Sequence, residues 1–222
     1  MDTSKYIITT RPEIKFKTLK TKCIDLVNIP LTAIKARDYN EKIGEEIVNA
    51  MPDVIVLTSS FGASEFFKNY YKFTKNPDFV AIGDKTAMAI KKYTGNVQVP
   101  TCKDSYGVLG LLSKYENPVI ALFRSNESNN IIINSLSQRN IKFYEYHIYD
   151  VIELKNTGLK SAFLSNRCMG ILITSSMEAR IFGETIGCYT GNKKIYSIGK
   201  ITTYTLRSMK YKVSITGTSD FE

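Results

Sequence analysis

Two hydroxyl-bearing motifs each occur twice in the sequence. Thr58-Ser59-Ser60 returns as Thr174-Ser175-Ser176, and Gly83-x-x-Thr86 returns as Gly199-x-x-Thr202. Both returns come at an offset of 116 residues, and at that offset Ala63, Phe66 and Val97 also fall on Ala179, Phe182 and Val213 without a gap. One such pair is within chance; two at a single offset mark an internal duplication. Each motif follows a short apolar run and precedes an apolar helical periodicity, so it sits where a strand gives way to a helix. The first turn of a helix leaves backbone N–H groups unpaired, and its dipole favours anions. Ser and Thr there either cap the helix or donate to a ligand oxygen. Glycine lets the backbone approach closely and tolerates φ > 0. The chemistry on offer is the cradling of carboxylates or phosphates by N–H and O–H donors. Capping alone explains a single hydroxyl; the repeated set points to ligand contact by some of its members.

The elements that must position these groups alternate along the chain. Strands are expected at Tyr6–Thr9, Ile24–Val27, Val54–Leu57, Phe79–Ile82, Val97–Val99, Val119–Phe123, Phe143–Ile148, Gly170–Ile173, Lys194–Ile198 and Lys212–Ile215. Between them lie helical spacings such as Ile43, Ile47, Val48, Met51 and Val108, Leu111, Leu112, Tyr115. Continuous apolar strands indicate sheets covered on both faces, and short strand–helix–strand connections make them parallel. The fold class is therefore α/β. Asn156-Thr157-Gly158 and Gly191-Asn192 read as loops. The repeat extends to YIITTR, ending at Arg11, against VIALFR, ending at Arg124, so the two sequence halves meet near residues 117–118.

Composition narrows the function. The net charge is +9 at pH 7, which suits an anionic partner. Nucleic acid is not expected, because no basic helix, RNA-binding aromatic motif or helix-turn-helix pattern accompanies the charge. No apolar run approaches the roughly 18 residues of a membrane span, and MDTSKYIITTRP lacks a signal-peptide pattern. The chain is expected to be cytoplasmic. Cys23, Cys102, Cys168 and Cys188 form no Cys-x-x-Cys pair and read as free buried thiols; with one histidine, His147, no metal site is expected. His147 lies in an apolar–aromatic strand and reads as structural. Dinucleotide and nucleotide loops and the Gly-x-Ser-x-Gly elbow are all missing.

The stretches IITTRP, NIPLTAI, VIVLTSSFGASEF, VAIGDKTAMAIKKY and VPTCKDSYGVLGLL, followed by FRS, HIYDV, GILITSS and YSIGKITTYTL, resemble the uroporphyrinogen-III synthase family in order and spacing over nearly the whole chain. The resemblance implies two similar parallel-sheet α/β domains joined by a two-stranded linker, with the active-site cleft between them. By that layout residues 1–34 and 151–222 form one discontinuous domain and 38–148 the inserted one, with crossings at 35–37 and 149–150. It implies a lyase of tetrapyrrole and heme biosynthesis that cyclises hydroxymethylbilane to uroporphyrinogen III with inversion of ring D and loss of water. The implied route ionises the ring A hydroxymethyl group, lets ring D attack through its substituted carbon to a spiro intermediate, then fragments and recloses. No cofactor is implied. The polycarboxylate substrate would account for the basic balance. A monomer is expected, with a transient handover of substrate from the deaminase. A non-catalytic two-domain module clamping a polycarboxylate metabolite is the alternative.

Carried over by position, the resemblance makes Tyr149 the proton source for the departing hydroxyl, with Ile148 where the family's linker motif has valine. An ordinary tyrosine titrates near 10 and holds its proton at neutral pH; a packing role for Tyr149 is the other reading. Substrate contacts are implied for Arg11, Thr58, Ser59, Ser60, Gly83, Thr86, Ser105, Arg124, Thr174, Ser175, Ser176, Gly199 and Thr202, mostly through backbone N–H groups; Arg124 also reads as a plain salt-bridge residue. The chain departs from the family at Asn130, where a second arginine often stands, in the short first helical region Glu13–Lys22, and in ending at Glu222 without the usual last helix.

Overall fold

The computed structural model describes residues 4–16, 24–155, 158–189 and 191–216. Cys23, Asn156, Thr157 and most of the first helical region lie outside the described residues. In chain order the elements are β1 (Tyr6–Thr9), β2 (Asp25–Asn28), β3 (Thr32–Ala36), α1 (Glu41–Ala50), β4 (Val54–Leu57), α2 (Ser60–Asn69), β5 (Asp78–Ala81), α3 (Asp84–Ile90), β6 (Val97–Gln98), α4 (Ser105–Leu112), β7 (Ile120–Ser125), α5 (Ile131–Gln138), β8 (Phe143–Glu153), α6 (Leu159–Leu164), β9 (Cys168–Ile173), α7 (Ser176–Ile186), β10 (Lys194–Ile198), α8 (Lys200–Ser208) and β11 (Val213–Thr216). They form two compact units, Met1–Ile34 with Val151–Glu222, and Lys35–Asp150.

The first unit holds a sheet in the order β11-β10-β9-β1-β2 with every pairing parallel. Its core gathers Ile8, Leu159, Phe163, Ile171, Ile173, Phe182 and Leu206. The second unit follows the order β3-β8-β7-β4-β5-β6, parallel from β8 to β6. All four residues of β4 and all six of β7 are buried, as strands covered on both faces must be. One side packs Val54, Val56, Leu122 and Leu136; on another, Phe66 lies 4.6 Å from Phe123 and 6.0 Å from Phe79 between ring centroids. In each sheet the strand order reverses once, between β9 and β1 and between β7 and β4. Parallel sheets open a crevice at such a point, beyond the carboxyl ends of the strands.

Several strand ends shift by a residue or two from the sequence reading, and two elements differ by more. β3 has no counterpart among the expected strands, because TAIKA is an edge strand with one buried residue and needs no continuous apolar run. β8 runs on past Ile148 to Glu153. Backbone bonds from Arg37 to Ile148 (3.0 Å) and from Leu154 to Leu31 (2.9 Å) set β3 antiparallel beside β8. Partway along β8 the register slips: Arg124 pairs with His147, but Ser125 pairs with Tyr149. Ile148 is thus the extra residue of a β-bulge, a device that re-aims the side chain after it. The thiols also differ from expectation. Cys168 is buried, but Cys102 and Cys188 are exposed, since both stand outside the packed elements.

Candidate functional site

At the reversal point of the second unit the chain leaves β4 through Thr58 and enters α2. Ser59 caps that helix: its Oγ accepts from the Gly62 N–H at 2.9 Å. The same oxygen accepts a second bond from the Tyr149 hydroxyl at 2.8 Å. Tyr149 is 5% exposed, and its ring meets Phe61 edge-on at 5.3 Å. The phenol reaches Ser59 because Gly62 has no side chain; a Cβ there would lie 3.0 Å from the tyrosine ring and 3.1 Å from Ser59 Oγ. Thr58 and Ser60 flank this pair, both half-buried.

Arg124, at the end of β7, is 2% exposed. Its Nη2 donates to the Asn129 carbonyl. Its Nε lies 3.3 Å from Glu145 Oε1, off the hydrogen-bond axis. Burial lowers the guanidinium pKa, against the raising effects of the Glu145 and Tyr149 charges. Arg124 and Tyr149 stand on neighbouring strands, with Ser125, the next residue of β7, paired to Tyr149. Ser105, the first residue of α4, is buried and donates to Asn129 Oδ1 at 3.2 Å. Arg124 and Ser105 thus converge on Asn129, a residue the sequence reading did not single out. The cap of α4 is Asp104.

The two Gly-x-x-Thr motifs begin α3 and α8, and neither helix has a side-chain cap. Thr86 and Thr202 are buried at equivalent positions, 4% and 5% exposed. Their glycines differ. Gly199 has φ 81° and ψ 149°, a conformation open to glycine. Gly83 has φ −170° and ψ 176°, extended backbone that any residue adopts, and a Cβ there would meet Lys103 at an ordinary 3.7 Å. The left-handed freedom expected of the motif is needed in one copy alone.

In the first unit Ser175 caps α7, its Oγ accepting from Glu178 N at 3.2 Å. The Glu178 side chain is 1% exposed and fills the reversal point between β1 and β9. It accepts from Thr10 Oγ1 at 2.6 Å, Thr174 N at 2.9 Å, Thr174 Oγ1 at 3.0 Å and Thr32 Oγ1 at 3.4 Å. Burial pushes its carboxyl above the usual carboxylate range, against hydrogen bonds that lower it. Ser176 opens α7 half-buried, and Arg11 follows β1 with its carbonyl accepting from Asn28 at 3.2 Å. Glu178 was not singled out from sequence, although Ser175-x-x-Glu178 carries the spacing of a capping box.

A half-open cavity of about 320 Å³ lies in the second unit, lined by Arg37, Asn40, Tyr70, Glu145, Tyr146 and His147 among others. His147 Nε2 is 3.1 Å from Glu145 Oε1, and its side chain is 36% exposed, so the histidine borders solvent. Neither Tyr149 nor Ser59 lines this cavity. Among the described residues, no group of three His, Cys, Asp or Glu is placed to hold a metal ion, and no helix is long and apolar enough to cross a membrane.

No curated protein matches the sequence. Among solved structures, a mutant uroporphyrinogen III synthase from the extremely thermophilic bacterium Thermus thermophilus is similar, with a TM-score of 0.68 at 14% identity over 96% of this chain and 92% of that one. The Helicobacter pylori uroporphyrinogen-III synthetase has a TM-score of 0.63 at 15% identity over 95% of this chain and 92% of that one. At such identities these likenesses speak for the fold, two α/β domains with parallel-dominated sheets. The uroporphyrinogen-III synthase HemD family model matches residues 16–219. With that match running through both hydroxyl motifs, both Gly-x-x-Thr motifs and Tyr149, the chain belongs to the uroporphyrinogen-III synthase family.

Proposed function

We propose that Tyr149 and the hydroxyl-rich helix starts of this chain carry out its family's reaction, the closure of hydroxymethylbilane to uroporphyrinogen III. The cyclising activity itself follows from the family, and a non-catalytic module is not favoured. The observation that carries the assignment of roles is the Tyr149–Ser59 hydrogen bond at the reversal point of a parallel sheet, on a strand whose bulge falls one residue before the tyrosine.

The reaction begins when the ring A hydroxyl leaves. Hydroxide is a poor leaving group, so a proton must reach it as the C–O bond breaks. Tyr149 supplies that proton. The cation left behind is a pyrrole-stabilised azafulvenium, which ring D attacks through its substituted carbon. Fragmentation of the spiro intermediate and reclosure invert ring D, and the last proton lost restores the phenol.

The substrate's carboxylates are held by the N-terminal turns of α2, α3, α7 and α8. Gly83 supports this role: neither its backbone nor its neighbours require glycine, whereas close approach of a carboxylate to the helix start would. The net charge of +9 favours the same polyanion. This reading makes the chain a cytoplasmic monomer that takes its substrate from the deaminase producing it.

The test is a product assay. Hydroxymethylbilane is generated in situ from porphobilinogen with its deaminase, this protein is added, and the oxidised porphyrin isomers are separated. An excess of isomer III is expected. Isomer I alone, from demonstrably folded protein, would overturn the reading.

A further inference from the structure

The hydrogen bonds around Ser59 have a direction. Its oxygen accepts from the Gly62 N–H at 2.9 Å and from the Tyr149 O–H at 2.8 Å. A serine hydroxyl has two acceptor positions and one hydrogen. Both acceptor positions are filled, one of them by the phenol hydrogen itself. The hydroxyl hydrogen of Ser59 is the one left to donate outward, and no described residue takes it. The serine is half-buried, while Tyr149 is sealed at 5% exposure behind Phe61 and Gly62.

We infer that Ser59, not Tyr149, is the group that touches the departing hydroxyl, and that Tyr149 acts through it as the second member of a two-proton relay. This rests on the reading of the reaction given above and deepens it. As the C–O bond of the ring A hydroxymethyl group breaks, its electron pair leaves with the oxygen, which takes the hydrogen of Ser59 Oγ and departs as water. Ser59 Oγ takes the phenol hydrogen of Tyr149 in the same event. The serine ends as it began, Tyr149 ends as a phenolate, and the substrate ends as the azafulvenium. The proton released at final ring closure returns along the same two oxygens.

Ser59 alone is a very weak acid, and a serine alkoxide would be a costly product. The phenol behind it bears the negative charge instead. Arg124, next to the β7 residue that pairs with Tyr149, adds a buried positive charge on the neighbouring strand. Ser59 thereby does two jobs with one oxygen. It holds the first turn of α2 and aligns the phenol behind it.

The experiment compares Ser59→Gly, Ser59→Thr, Tyr149→Phe and the double variant Ser59→Gly/Tyr149→Phe in the isomer assay, with thermal unfolding in parallel. Glycine is a tolerated cap, so Ser59→Gly keeps the helix start while removing the hydroxyl. With a relay, kcat falls about a hundredfold in Ser59→Gly and in Tyr149→Phe alike, KM stays near wild type, and the double variant is no slower than either single one. Ser59→Thr, which keeps both cap and hydroxyl, restores turnover. If Ser59→Gly retains kcat within about threefold while Tyr149→Phe loses it, the phenol donates directly and the relay is overturned. Multiplicative losses in the double variant overturn it as well. Wild-type protein yielding isomer I alone removes the underlying reaction assignment, a result distinct from either.

Discussion

Gly62 and Glu178 hold the same position in the two copies, 116 residues apart, and they treat the reversal points of their two sheets in opposite ways. In the first unit Glu178 enters the space and is held there by Thr10, Thr32 and Thr174. In the second unit Gly62 leaves the space empty, and the ring of Tyr149 comes in from β8 to occupy it. One copy places a carboxylate at this position and the other leaves room for a phenol. The helix caps, Ser59 and Ser175, are the same in both.

Gly62→Ala separates stability from turnover. Alanine is favoured over glycine inside a helix by about 1 kcal/mol, so α2 itself gains. The new methyl group presses on Tyr149 and Ser59 at 3.0 and 3.1 Å, and the phenol must shift. Turnover is expected to fall about tenfold to a hundredfold with the melting temperature unchanged or raised. Full activity would show that the phenol's position is not critical.

Tyr149→Phe keeps the packing against Phe61 and removes the hydroxyl. A loss of about a hundredfold in kcat is expected, with KM within about twofold. A rise in KM at constant kcat would instead make the hydroxyl a binding group.

The two motif glycines make opposite predictions. Gly199→Ser puts a side chain at φ 81° and should cost about 1–3 kcal/mol, read as a lower melting temperature. Gly83→Ser sits in extended backbone with room for a Cβ, and serine is a better cap than glycine, so stability holds. Activity should nevertheless drop in Gly83→Ser through a raised KM. Unchanged KM would mean that no carboxylate approaches Gly83 closely.

Glu178 predicts a pH dependence of stability. Burial raises its folded pKa above that of an unfolded glutamate. The folded state therefore binds more protons across the window above the ordinary carboxylate value. The stability Glu178 contributes is full below that value and is lost as pH rises through the raised pKa. Glu178→Gln, uncharged throughout, should lack this fall. Identical melting-temperature profiles against pH for wild type and variant would refute the assignment.

Read from sequence, Lys194–Ile198, of mixed polarity, matches β10 residue for residue, and so does the unbroken apolar run Val54–Leu57 with β4. Covering on both faces leaves a strand like β4 no choice of residue type. β3 was not legible, because an edge strand of mixed polarity looks like a loop. In the site, the duplication displayed the hydroxyl motifs as matched pairs, and capping chemistry accounted for Ser59 and Ser175. The contact between Tyr149 and Ser59 spans 90 residues and depends on a bulge that no residue type announces. Asn129 was equally hidden, since it acts through its carbonyl as much as its side chain.

The order of the strands has a consequence for the chain as it is made. β1 pairs with β2 on one side and with β9 on the other, so Ile8 waits for Ile171. The unit of residues 35–150 is contiguous and can be completed while its partner is still two strands without a centre. At about 5–20 residues per second the ribosome leaves the inner edge of β1 unpaired for roughly ten to thirty seconds. That interval is the chain's exposure to aggregation and chaperones. Slowing translation through the middle of the message should lengthen it and lower the yield of folded protein without altering a single residue.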